Sequence, residues 1–178
     1  MALTPKDPLL SAARVIIVLF QALVAFGSGA LVVGIPILLA VQDPLTERMR
    51  AETARADFIF PLLPVIGMMA LFALVLVIGF LFLRHLRRIV DTVGQGDPFV
   101  PENADRLTAM AWLVVGAQVI AIPAIMLLIH IQQAFEETNP STDAAFDFGG
   151  ILLALTLFIL ARVFRQGTAM REDLEGTV

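Results

Sequence analysis

Four stretches of the chain contain no Asp, Glu, Lys or Arg: Val15 to Val41, Phe58 to Leu83, Leu107 to Ile131 and Phe148 to Ala161. Crossing the hydrocarbon layer takes about 20 residues in a helix that rises about 1.5 Å per residue. The first three runs exceed this, and the fourth reaches it by borrowing Phe146 and Val163–Phe164. The run from Phe58 to Leu83 holds 18 Leu, Ile, Val or Phe residues. At roughly −0.3 to −0.6 kcal/mol each near the bilayer centre, these favour insertion by about 5 to 11 kcal/mol. Buried helices of a water-soluble protein would carry polar faces, and these runs have none. The pattern therefore predicts an all-α integral membrane bundle of four helices, with spans at about 15–41, 58–83, 107–131 and 146–164. The whole chain, 1–178, reads as one domain. The first run continues well past the length of a signal-peptide core, so it reads as a span that is retained.

Composition agrees, with 58% hydrophobic and 16% charged residues. A formal net charge of −4 argues against direct binding to nucleic acid. The absence of cysteine removes disulfides, thiolate metal sites and a thiol nucleophile. The basic residues are distributed unevenly. Nine of the twelve fall in the N-terminal segment (Lys6, Arg14), in the 84–106 connection (Arg84, Arg87, Arg88, Arg106) and in the tail (Arg162, Arg165, Arg171). Arg48, Arg50 and Arg55 occupy the 42–57 loop, and the 132–147 loop has none. Positive charge accumulates on the cytoplasmic side, so both termini and the central connection are expected there, in a cell (inner) membrane.

No ionisable side chain lies near the middle of a span, and proton relays and ion pathways are normally built from such groups. His85 and His130 are expected at opposite membrane surfaces and cannot share a metal. None of the common hydrolase, zinc or phosphate-binding motifs occurs. No catalytic, cofactor or metal residues are therefore expected. Gln21 and Gln118 do enter the lipid region, joined by Thr156. They act either as hydrogen-bonding contacts between helices or as the polar groups of an intramembrane ligand pocket. Small residues at four-residue spacing (Ala25 and Gly29, Ala30 and Gly34), with Gly116, Ala117 and Ala121, suit close helix packing. Pro36, Pro61, Pro64 and Pro123 imply kinks or broken turns.

Two polar segments carry further pattern. Leu86, Ile89, Val90 and Val93 recur at helical spacing while Arg87, Arg88 and Asp91 point elsewhere, so span two should continue as an amphipathic helix until Gly94 and Gly96 stop it. Asp97–Pro98 turns the chain, and Phe99 stands in an extended stretch before Pro101. A new helix should begin at Pro101, with Glu102 in its first turn, and run into span three past Trp112. In the tail, Val163, Gly167, Met170 and Leu174 share a stripe, which predicts a helix to about Gly176. These stripes either lie on headgroups or on each other, or they form a docking surface for a soluble partner.

The stretch Gly96-Asp97-Pro98-Phe99-Val100-Pro101-Glu102-Asn103, followed by Arg106-Leu107 and Trp112, resembles the central motif of a bacterial four-span membrane family catalogued as domain of unknown function 2975. Val163-Phe164-Arg165-Gln166-Gly167, then Met170-Arg171-Glu172-Asp173-Leu174 and Thr177-Val178, resembles its C-terminal motif, although Gly176 interrupts the usual acidic-Leu-Thr-Val ending. The resemblance implies a multi-pass inner-membrane protein without assigned catalysis, often encoded beside a small helix-turn-helix transcription factor. It thus implies sequestration of that regulator. Phe99, Ile89, Val93, Met170, Leu174 and Val178 would supply the apolar contacts, and Arg87, Arg88, Glu102 and Arg171 the orienting charges. Two other roles fit the residues: a membrane sensor binding a lipid or small apolar ligand through Gln21, Gln118 and Thr156, and an accessory subunit or homo-oligomer joined through span one.

Overall fold

The computed structural model describes residues 8–53, 58–135 and 148–175. They form four long helices, α1 (Pro8–Thr53), α2 (Leu62–Gly94), α3 (Pro101–Ala134) and α4 (Phe148–Glu175). No strand occurs among the described residues. All four helices are long and apolar enough to cross a membrane. Their large apolar side chains point outward, with Phe26 77% and Leu63 80% exposed. Water would not tolerate so much exposed hydrocarbon, whereas lipid is the solvent that fits it.

The helix limits follow local chemistry. Proline has no amide proton, so Pro8 and Pro101 are well placed as first helical residues. Pro61 and Pro64 flank the beginning of α2, where the Val65 amide donates to Pro61 O at 3.1 Å. Amides of a first turn lack helical acceptors in any case, so these two prolines start the helix and kink nothing. The helical part of the second apolar run consequently begins at Leu62, not at Phe58. The 42–57 segment also differs from a loop: α1 continues through Pro44 to Thr53. Thr46 there donates from Oγ1 to Gln42 O at 2.8 Å. Pro36 and Pro44 lie inside α1, and Pro123 lies inside α3.

The chain divides into two compact units. One unit consists of residues 8–25, 77–118 and 148–175. Its core is Leu107, Met110, Ala111, Leu157 and Ala161, with Phe82, Leu86, Ile89, Val114, Phe158 and Phe164 packed against it. Arg14 on α1 forms an ion pair with Asp91 on α2. Gln118 on α3 lies over Gly150 on α4, where an added Cβ would come within 2.6 Å of Gln118 Cδ.

The other unit consists of residues 26–53, 58–76 and 119–135. Glycines let its helices approach closely: a Cβ on Gly34 would meet Met69 at 2.8 Å, and one on Gly67 would meet Leu127 at 3.0 Å. Ser28 Oγ donates to Ala73 O across α1 and α2. Phe58 is buried, its ring 5.6 Å from that of Phe135, and its carbonyl accepts from Arg50 Nε at 2.9 Å. The preceding polar extension of α1 is thereby tied to the start of the second apolar run.

Candidate functional site

The densest polar construction lies in the first unit, where α2 ends and α3 begins. Gly96 takes a left-handed backbone conformation, φ 84°. The Asp97 amide donates to Thr92 O at 3.1 Å, and the Gly96 amide donates to Val93 O at 3.0 Å. This is a Schellman ending, in which two otherwise orphaned carbonyls of α2 find partners. Only glycine adopts the required φ without steric cost.

Asn103 holds the resulting turn and is completely buried. Its Nδ2 donates to Thr92 Oγ1 at 2.8 Å and to Pro98 O at 2.9 Å, while its Oδ1 accepts from Arg106 at 2.7 Å. One amide thus joins the end of α2, the turn and α3. Thr92 completes the set by donating from Oγ1 to Ile89 O.

α4 closes over the same turn. Buried Thr168 places Oγ1 3.0 Å from both Phe99 O and Phe164 O, between which its single proton is shared. The Phe99 ring lies on Gly167, where a Cβ would approach Cδ1 to 2.7 Å, and stands 5.5 Å from the Phe164 ring. Arg171 forms an ion pair with Asp97. Arg165 reaches Asp105 at 3.4 Å, with both side chains mostly exposed.

Just inside the turn, His85 is half-buried and its Nδ1 has no hydrogen-bond partner. Burial pushes its pKa below the ordinary histidine value, and the neighbouring guanidinium groups of Arg88, Arg84 and Arg106 push it the same way.

The residues singled out from the sequence separate into groups. Ile89 packs inward on the core, and Val93 is half-buried. Phe99 is 40% exposed, with one side committed to Gly167 and Phe164. Arg87, Arg88, Glu102, Met170 and Arg171 are exposed, Met170 by 62%. The Leu174 side chain and Val178 lie outside the described residues. In the apolar runs, Gln21 is buried, Gln118 rests on Gly150, and Thr156 donates to Leu152 O within its own helix at 2.8 Å. Sequence reasoning assigned no role to Thr92, Asn103 or Thr168. Only Gly167 hinted at the arrangement, since a glycine inside a helix costs stability unless something sits on it.

Four helices able to span a bilayer, apolar outward and joined by polar ends, define a multi-pass membrane protein in contact with lipid. The chain belongs to the family described as protein of unknown function (DUF2975), whose model matches residues 39–178. That range includes the whole clamped turn and the α4 extension. Comparison with curated proteins and with solved structures gave no match.

Proposed function

We propose that this chain is a non-enzymatic bacterial inner-membrane protein, with both termini cytoplasmic, that holds a helix-turn-helix transcription regulator at the membrane. The observation that carries the reading is the clamp on the 94–101 turn. Asn103, Thr168 and the Phe99–Gly167 contact fix three helix ends beyond the apolar runs. Surfaces fixed before binding lose less entropy when a partner docks. Exposed Met170, Arg87, Arg88 and Glu102 stand on these fixed ends, offering an apolar anchor and charges of both signs. The excess of arginine at the 84–106 connection and the tail supports a cytoplasmic location.

Co-purification with any helix-turn-helix protein that the neighbouring genes encode tests the reading. Full-length protein should retain the regulator, and Met170→Glu should reduce recovery about tenfold, as expected when an apolar anchor worth ~1.4 kcal/mol is lost. Met170 is exposed, so the substitution leaves the fold intact. Equal recovery by both proteins would count against the surface.

A second reading, self-association or assembly as an accessory subunit, is favoured by one observation. Gly34 is occupied by Met69, but a Cβ on Gly29 would meet nothing within 4 Å. An open glycine on a lipid-facing helix is suited to another helix. Gly29→Leu would shrink a native assembly under this reading and leave its size unchanged otherwise.

A further inference from the structure

The first unit contains an open groove of about 520 Å³ between α3 and α4, lined by Thr108, Phe158, Ala161, Arg162, Arg165 and Gln166 among others. No carboxylate lines it. We propose that this groove seats the headgroup of an anionic phospholipid, with Arg162 and Arg165 on the phosphate and an acyl chain lying along Phe158 and Ala161.

The groove combines two environments that a phospholipid needs side by side. Phe158 and Arg162 are four positions apart on α4, so their backbone positions lie about 6 Å apart along the helix axis. Arg162 is the first charge after the uncharged run of α4, and that places it where lipid phosphates begin. It has no ion pair among the described residues. Among the described residues Arg165 has only the long, exposed pair with Asp105, which lines the adjoining groove and not this one. Such a pair yields readily to a phosphate, which guanidinium groups bind through paired hydrogen bonds. Gln166 supplies a further donor, while Thr108 spends its hydroxyl proton on Ala104 O at 2.9 Å. A zwitterionic headgroup would bring its own cation against two arginines and is disfavoured. A soluble phosphate would make no use of Phe158 or of Trp112, which packs edge-on against Phe158 with ring centres 5.5 Å apart.

Trp112 is the single tryptophan of the chain, is 63% exposed and packs on Phe158 of the groove, so its fluorescence reports from beside the groove. The full-length protein would be reconstituted in phosphatidylcholine vesicles containing a small fraction of brominated lipid, and quenching of Trp112 followed. Brominated phosphatidylglycerol should quench at about tenfold lower mole fraction than brominated phosphatidylcholine, in keeping with two basic residues acting on one anionic headgroup. Arg162→Gln with Arg165→Gln should abolish the preference, and Arg162→Lys should keep most of it. Arg84→Gln, which removes a charge from α2 outside the groove, should leave it unchanged. Equal quenching by the two lipids in the unmodified protein would overturn the proposal. So would an equal loss in Arg84→Gln, which would reduce the effect to general surface charge. Displacement of the brominated phosphatidylglycerol by inorganic phosphate at matching concentration would assign the groove to a soluble anion and overturn the lipid.

Discussion

Asn103 does more for this fold than its size suggests. Its side-chain amide satisfies Thr92, the Pro98 carbonyl and Arg106 while excluded from solvent. Asn103→Ala would leave buried polar groups without partners, at a cost of about 2–4 kcal/mol. Thermal unfolding in detergent should show this loss, and Glu102→Ala next to it, exposed in the first turn of α3, should show little. His85 adds a pH dependence. Because burial and the three arginines lower its pKa in the folded protein, the unfolded chain takes up the proton first as pH falls. Stability should be level above about pH 6.5, the ordinary histidine value, and should decline on acidification below it. Melting curves of His85→Gln should lack this component of the decline, while an identical acid response in both proteins would rule it out.

At the scale of the elements, the α2–α3 turn and α4 depend on each other. Gly96→Val would force a β-branched residue into the left-handed region, costing about 1–2 kcal/mol from backbone strain alone. Gly167→Leu would push a side chain into the space of the Phe99 ring, an overpacking cost of about 1–3 kcal/mol. Both variants should expose the turn to limited proteolysis at 95–100, and unchanged cleavage would argue that α4 does not hold it. The limits of these elements were legible because each has a local cause: glycine at Gly96 ends α2, and proline at Pro101 begins α3. The extension of α1 through 42–53 was not legible, because Asp43–Pro44 carries the local pattern of a turn. Pro61 and Pro64 misled for the opposite reason, since a proline in an apolar run looks the same whether it kinks a helix or starts one. Of the clamp, Phe99 and the Gly167 stripe were visible, but Asn103 and Thr168 were not. Asn103 reaches Thr92 across the turn and Thr168 reaches Phe99 over 69 positions, and nothing near either residue in sequence announces those bonds.

For the whole molecule, the four apolar runs settle the solvent, because outward-facing hydrocarbon on every helix requires lipid. Family membership adds that residues 39–178 match a unit shared by other proteins. Function depends on which side of the bilayer receives the clamped turn and the α4 extension. The proposed function places both, with the two chain ends, in the cytoplasm, on the excess of nine basic residues over three. Paired fusions to alkaline phosphatase and to a cytoplasmic fluorescent reporter, placed after residues 50, 95, 140 and 178, measure this directly. Fluorescence at 95 and 178 with phosphatase activity at 50 and 140 is the predicted pattern. Phosphatase activity at 95 and 178 would put the clamped surface beyond the reach of any cytoplasmic regulator and contradict the account.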